Sequence, residues 1–509
     1  MNVSWNIKLK SAFKLDLGAN FAGVVWSALM QFVFVPLYLK YLGIEAFGLI
    51  GFYLILQAII QVLDFGLSPT MNREMARYSV QPEKAPEARD LVRTLEAGYW
   101  LVGVAIGVVT IALAPLIATH WIRAGSIPVR VIQHTVMLMG VLAVFQWPGS
   151  FYQGGLMGLG RQVLFNGLNI LFSTLSSAGS FLVLVLVSPT IQAFFLWLIG
   201  INALRMLVFA AALWRSLPAA DRPSRFDLDR LRSIRRFAAG MTGISVCALI
   251  LMQQDKLIVS KLFSLKILGY YSLAAMFGGG LSMIVTSVFN TIFPRFSALA
   301  ASDENALRDL YYRSTELMAV LIFPLAAVLV LFSTQILQLW TRNTAVAQNA
   351  GTIMALLVIG SALNGLLNPS YALQLAYGWT SIGLRINIFL VCVSLPATWL
   401  LARHYGPVGA AAVWPALNAM YLMISLPWTH RRLLRGGAFK RYAEASLPLV
   451  PILLIALLGK LVIADFMSAP AIISVISAVL LCATAAAAFA APSIRPWLIS
   501  QIVRGRTSS

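Results

Sequence analysis

Fourteen apolar runs near bilayer-crossing length leave this chain only one kind of fold. A helix needs roughly 20 consecutive apolar residues to cross the hydrocarbon core. Such runs fall at about 16–39, 44–71, 95–118, 130–150, 163–187, 191–213, 237–261, 269–293, 314–338, 348–373, 386–402, 409–428, 447–465 and 471–491. They are continuous rather than alternating, which excludes a closed β-barrel. In lipid, every backbone polar group must be satisfied internally, so helices are the remaining solution. The expected fold is an all-α polytopic membrane protein of about 14 transmembrane helices. Composition agrees. Of the 509 residues, 59% are hydrophobic and 11% charged, where a soluble protein has roughly a quarter charged.

The net charge of +20 could suggest a nucleic-acid partner, but no soluble segment is long enough to carry a basic, aromatic-rich face. Helix insertion explains it better, because Lys and Arg accumulate in cytoplasmic loops. With the N-terminus inside, 28 of the 38 basic residues fall on inner loops and tails, and seven on outer loops and helix ends. Arg205, Lys256 and Lys460 remain within spans. Both termini are therefore expected in the cytoplasm. The outer connections are short, the longest being about 119–129, so no extramembrane domain is expected. Met1–Lys14 leads into an apolar run far longer than a signal-peptide core, so the first span serves as its own insertion signal. Cys247, Cys392 and Cys482 each sit in an apolar segment and read as small packing residues, with no metal or cofactor implied.

The chain carries a short internal repeat. YLGIEAFGLIGFY precedes a span ending in Asn72-Arg73, and KLFSLKILGYYSLAAMF precedes one ending in Pro294-Arg295. Gly48 to Arg73 is 25 residues and Gly269 to Arg295 is 26. Aligning them lays spans 1 to 6 over spans 7 to 12 in the same orientation, with two spans left over. The expected organisation is a six-helix lobe (1–213), a basic linker (214–236), a second six-helix lobe (237–428) and two further helices (447–491).

Several stretches resemble the Wzx-type flippases of O-antigen and exopolysaccharide, in the superfamily of the MATE exporters and the lipid II flippase. They are LGIEAFGLIGFY, LDFGLSPTMNREMARYS, QGGLMGLGRQVLFNGLN, QQDKLIVSKLFSLKILGYYSLAAMF, FPRFSAL and YGPVGAAAVW. The resemblance runs through span 12 and rests mostly on packing and boundary residues. It implies two six-helix lobes in a V, opening alternately to each side of a bacterial inner membrane. The implied cargo is a polyprenyl-diphosphate-linked oligosaccharide, moved outward. Membrane lipids, a proton or sodium ion and the polysaccharide polymerase machinery are the other partners it implies. Lipid II flippases carry arginines in the first span, whereas this chain has none between Lys14 and Lys40.

Such transport needs a hydrated, cation-lined cavity beside an apolar surface for the lipid tail. A charge held at membrane depth costs a few kcal/mol, about 3 on insertion scales, so it normally faces protein or water. The run Gln253, Gln254, Asp255, Lys256 interrupts the seventh span. Gln253 and Lys256 share a face, while the neighbours Asp255 and Lys256 point about 100° apart and cannot pair tightly. At 1.5 Å per residue, Asp255 lies roughly 27 Å from the inner end of its span, and Arg205 roughly 12 Å from the inner end of span 6. They are too far apart in depth to be partners. Asn202 shares the face of Arg205.

The candidate cavity set is Arg205, Asn202, Gln253, Gln254, Asp255, Lys256, Asn20 and Gln31, with Asp255 and His134 as ion-coupling candidates. The bland readings stand beside these: Arg205 snorkels, and the Gln253–Lys256 run is a solvated helix end. Gln57, Gln61, Asn290, Asn364, Asn368, Asn387 and Asn418 are expected mainly in interhelical hydrogen bonds. Asp64 is expected to cap a helix or pair with Arg73. The seven arginines between Trp214 and Arg236 read as a topology anchor, or as a contact for anionic headgroups or a pyrophosphate. Pro36, Pro324, Pro396 and Pro415 lie within spans, and Gly278–Gly280 is expected to interrupt span 8.

No GxSxG, phosphate loop or paired carboxylates stand in a loop, which argues against an enzyme. A cation-coupled multidrug exporter on the same fold is the main alternative. A lipid II flippase, or a membrane glycosyltransferase or polymerase, fits less well, the last two because their outer loops would need to be longer.

Overall fold

The computed structural model describes residues 3–64, 66–227, 246–434, 447–463, 468–492 and 495. Its helices are α1 Val3–Val62, α2 Leu67–Tyr78, α3 Ala85–Leu116, α4 Val129–Gly158, α5 Gln162–Leu186 and α6 Ile191–Ser216. They continue with α7 at 246–262, α8 Leu265–Ala300, α9 Glu304–Leu331, α10 Ser333–Thr341, α11 Thr344–Ala376, α12 Thr380–Thr429, α13 Leu449–Val462 and α14 Ala469–Ala490. No strand forms among the described residues, where an isolated bridge joins Arg123 to Ser264.

Among the described residues, ten stretches are long and apolar enough to cross a membrane, and Leu449–Val462 is a shorter apolar helix. Two of the ten each hold two expected spans. α1 breaks at Gly43 (φ 77°) and α12 at Gly406 (φ 69°), a left-handed conformation that glycine adopts without steric cost. The outer surface confirms what the apolar runs face: Leu101, Leu186 and Leu461 are 74%, 76% and 82% exposed. The all-α membrane fold is established. Residues 237–245 of the seventh span, 228–236 of the basic linker and 464–465 of the thirteenth span lie outside the described residues.

Three expectations need correction. The second span was expected to run to residue 71, but α1 ends at Val62 and the chain turns at Gly66 (φ 74°) before α2 begins. Apolar content alone cannot register that turn. α2 is a separate helix that buries Thr70, Met71 and Met75 along one side. The ninth span divides into α9 and the short α10 at Phe332. Gly278–Gly280 interrupts nothing, since α8 is unbroken. Gly278 instead admits a close neighbour, because a Cβ there would stand 2.9 Å from Ser361 Oγ.

The chain divides into two compact units, Met1–Leu249 with Phe263–Gly269, and Ile250–Leu262 with Tyr270–Ser509. In the first, α3, α4 and α6 pack around buried Tyr99, Trp147, Phe151 and Phe209. The Tyr99 and Trp147 rings lie 4.5 Å apart. The repeat is visible as a reciprocal contact in this unit. A Cβ on Gly48 would collide with the Leu265 carbonyl, and one on Gly269 with the Ile44 carbonyl. Each glycine meets the carbonyl four residues before the other, so both backbones need a residue without a side chain. The start of the basic linker is fastened here too. Buried Asp90 accepts from Arg222 Nη2 at 2.5 Å and the Arg225 N–H at 2.7 Å. Thr94 Oγ1 accepts from the Asp227 N–H at 2.9 Å.

In the second unit α11 packs on α9, α10 and α12. The last two helices join its core: Ile452, Ala456, Ala483 and Ala487 bury against Ala319, Phe323 and Phe332 of the α9 region. Lys460, one of the three basic residues within spans, donates to Gln335 Oε1 at 2.9 Å and lies over the Phe332 ring. It ties α13 to α10.

Candidate functional site

Three helices of the first unit turn polar faces toward one another. α1 brings Gln57 and Gln61, with Asp64 just past its end; α4 brings Gln146, Ser150 and Gln153; α6 brings Asn202 and Arg205. Each series is spaced three or four residues apart, which places its members on one helix face. They line a cavity of about 360 Å³ whose apolar wall includes Phe145, Trp147 and Phe209.

Arg205 is the cation of this cavity. Its Nη2 donates to Asn169 Oδ1 at 2.7 Å, and its guanidinium lies 5.5 Å from the centre of the Phe209 ring. Its Nε is buried with no acceptor among the described residues. A buried charge with an unused donor is costly unless an anion or water meets it. Amide and ring hold Arg205 at the cavity wall. Asp64 lines the same cavity. Its Oδ1 accepts from Tyr99 Oη and its Oδ2 from the Ser68 N–H at 3.0 Å. The expected capping role is therefore present, and Arg73 pairs with Glu74 at 2.8 Å. Tyr53 Oη donates to Gln146 Oε1 at 2.5 Å, orienting that amide.

The second unit holds a cavity of about 260 Å³ between α7, α8, α11 and α12. Gln253, Asp255 and Lys256 line it, with Gly278, Ser361 and Trp414 across from them. Lys256 Nζ donates to Gln253 Oε1 at 3.1 Å, the three-residue pairing its helix face implies. Asp255 Oδ2 accepts from Tyr271 Oη at 2.7 Å, while Oδ1 is buried with no donor among the described residues. Asp255 and Lys256 form no ion pair with each other among the described residues.

The other candidates lie elsewhere. Gln254 is buried and accepts from Ser394 Oγ at 3.0 Å, an interhelical bond between α7 and α12. Asn20 Oδ1 accepts from Asn166 Nδ2, tying α1 to α5. Gln31 and His134 are exposed and line neither cavity. Asn364 and Asn418 bond each other at 2.9 Å, as interhelical asparagines were expected to. The sequence reading did not single out Gln146, Gln153, Asn169, Tyr53 or Tyr99. The signal for the first two was present: Gln146 and Gln153 are seven apart on α4, as Gln57 of α1 and Asp64 just past its end are.

Residues 40–341 match the family model described as polysaccharide biosynthesis protein. The chain belongs to that family. A putative O-antigen transporter of Shigella flexneri is 21% identical over 394 residues, covering 77% of this chain and 91% of the relative. The succinoglycan biosynthesis transport protein ExoT of Rhizobium meliloti (strain 1021) is 29% identical over 169 residues, 30% of this chain and 34% of that one.

Solved structures agree on the fold. A multidrug resistance MATE family transporter of the MOP superfamily, inward-facing, superposes with a TM-score of 0.69 at 14% identity, covering 80% of this chain and 94% of the other. Lipid II flippase MurJ, inward closed, gives 0.66 at 14% identity, covering 92% and 98%. The chain is a multi-span membrane protein of the polysaccharide biosynthesis protein family, with a fold shared by these solved transporters.

Proposed function

We propose that this protein flips a polyprenyl-diphosphate-linked oligosaccharide from the cytoplasmic to the periplasmic leaflet of a bacterial inner membrane by alternating access. The observation that carries the reading is the first-unit cavity. Glutamine, asparagine and serine side chains suited to sugar hydroxyls surround an arginine with a buried, unused N–H. Arginine meets phosphate oxygens with strong charge-assisted hydrogen bonds, so Arg205 supplies the diphosphate contact and the amides supply the sugar contacts. Lys256, with Gln253, gives a second cationic point in the other unit. Asp255, with one carboxylate oxygen unused, is the candidate coupling site for a proton or sodium ion. The family match and the O-antigen and succinoglycan relatives support the cargo class.

The test is removal of the protein from a strain with no second flippase, followed by assay of which leaflet holds the lipid-linked oligosaccharide. Accumulation in the cytoplasmic leaflet is expected. An unchanged distribution with normal surface polysaccharide would overturn the reading.

One observation favours a second reading, a cation-coupled exporter: Asp64 places a carboxylate in the same cavity as Arg205. Asp64→Asn separates the two. The amide oxygen still accepts from the Ser68 N–H and the amide NH2 can donate to Tyr99 Oη, so the fold is kept. Under the flippase reading, removing this negative charge leaves transport of an anionic cargo intact or improved. Under the exporter reading it abolishes drug efflux.

A further inference from the structure

The second unit carries a groove that neither cavity includes. It lies on α12, whose chain folds back at Gly406 so that Ile386 and Phe389 on the first limb meet Ile424 and Trp428 on the second. The groove encloses about 410 Å³. Its charged members are Arg385 and Arg432, with no carboxylate among its lining residues. The Arg432 guanidinium lies 4.5 Å from the centre of the Trp379 ring. That stacking fixes the group while leaving its in-plane N–H donors directed outward. Phe389 and Trp428 are 49% and 57% exposed, so the groove offers an open aromatic wall beside two cations, one of them fixed by stacking.

Arg385 lies near the start of α12 and Arg432 just past its other end, in the flanking segments that the distribution of basic residues assigns to the cytoplasm. Tryptophan beside arginine at that depth suits the membrane–water interface, where aromatic rings and basic groups meet headgroups. An apolar wall and an anion-binding head together fit one chemical class, an anionic lipid. The charge distinguishes between lipids. A diphosphate diester carries one more negative charge than the phosphodiester of a glycerophospholipid, and two guanidinium groups match the larger charge. Arginine forks also bind adjacent phosphate groups in the bidentate manner that a single phosphodiester uses only once.

We propose that this groove is a docking site for the diphosphate lipid at the cytoplasmic leaflet, separate from the Arg205 cavity, where the prenyl chain lies along Phe389 and Trp428 and the two phosphates meet Arg385 and Arg432. This rests on the flippase reading for the identity of the cargo. The site holds the lipid before its sugar headgroup passes into the transport path, and its apolar wall keeps the tail in the bilayer throughout.

The experiment uses the full-length protein in phosphatidylcholine nanodiscs, with native mass spectrometry as the binding readout. The probes are a polyprenyl diphosphate, the same polyprenol as its monophosphate, and phosphatidylglycerol. Wild-type protein is expected to bind the diphosphate about tenfold tighter than either other probe. In an Arg205→Gln background, which removes the first-unit diphosphate contact, adding Arg385→Gln/Arg432→Gln abolishes that preference, while adding Lys8→Gln/Lys10→Gln leaves it. Because both arginines are exposed, the variants should fold, and Arg385→Lys/Arg432→Lys should recover part of the affinity.

Undiminished diphosphate binding on adding Arg385→Gln/Arg432→Gln to the Arg205→Gln background overturns the proposal. Equal binding of phosphatidylglycerol by the wild type also overturns it, because the groove then holds a phospholipid. If the groove binds as expected but loss of the protein leaves the leaflet distribution unchanged, the docking site stands and the flippase reading alone falls.

Discussion

The two cavities are built from similar side chains in opposite ways. In the first unit, α1, α4 and α6 each contribute two or three polar residues at helical spacing, so that all of them converge. In the second, four polar residues stand consecutively on α7, and a helix fans consecutive residues around its circumference. Gln253, Asp255 and Lys256 reach the cavity, and Gln254 turns away to Ser394. Within the cavity Lys256 pairs with Gln253, while Asp255 turns to Tyr271. A dense polar run is therefore a weaker sign of a binding site than sparse polar residues repeated on several helices. The unused groups differ as well: an arginine N–H in the first cavity, a carboxylate oxygen in the second. One is suited to an anion and the other to a cation.

That contrast ranks the consequences of mutation. Arg205→Ala should have the largest effect, because it removes the cation and leaves Asn169 unpaired. A charge-assisted hydrogen bond is worth about 1.5–3 kcal/mol, so transport should fall roughly tenfold or more at equal protein level. In vivo flipping of the lipid-linked oligosaccharide measures it. Retention of activity would mean that the first cavity does not handle the anion. Asp255→Asn comes next. Its amide oxygen still accepts from Tyr271, so expression should hold, while any dependence of transport on a proton or sodium gradient should disappear. Persistence of that dependence would remove Asp255 from coupling. The double neutralisation Arg205→Gln/Lys256→Gln should impair transport more than Lys8→Gln/Lys10→Gln, and equal losses at equal protein levels would refute both cavity assignments.

The spans were legible because apolar length is a property of the sequence alone, and the turns at Gly43 and Gly406 fall where adjacent runs meet. The turn at Gly66 was not, since LDFGLSPT has no charge but Asp64 to mark it and the left-handed backbone leaves no trace in hydropathy. Arg205 and Asn202 could be picked out because a charge inside an apolar run demands an account. Gln146 and Gln153 could not be assigned to the same cavity without knowing that α4 packs beside α1 and α6. Gln57 and Gln61 looked like ordinary interhelical glutamines for the same reason. Side-chain type and spacing specify a helix face; only packing specifies which faces meet. The reciprocal Gly48–Gly269 contact is the exception, where a repeat visible in the chain marks two positions that pack against each other.

The smallest expected effect lies where the comparison is sharpest, at Gln254. Its neighbours on α7 face a cavity, but its own partner is Ser394 of α12, buried with it. Hydrogen bonds between membrane helices average about 0.6 kcal/mol. Replacing one partner by leucine leaves the other unsatisfied, at a further cost of about 1 kcal/mol for a buried hydroxyl. Gln254→Leu should therefore lower thermal stability slightly while leaving the rate of flipping per folded molecule unchanged. Gln254→Leu combined with Ser394→Ala, which removes both polar groups, should recover most of that stability. Melting of the purified protein followed by tryptophan fluorescence reads the first quantity, and reconstituted transport normalised to folded protein reads the second. A transport loss in Gln254→Leu that Ser394→Ala fails to restore would place Gln254 in the path of the cargo, and the polar run on α7 would then act as one surface.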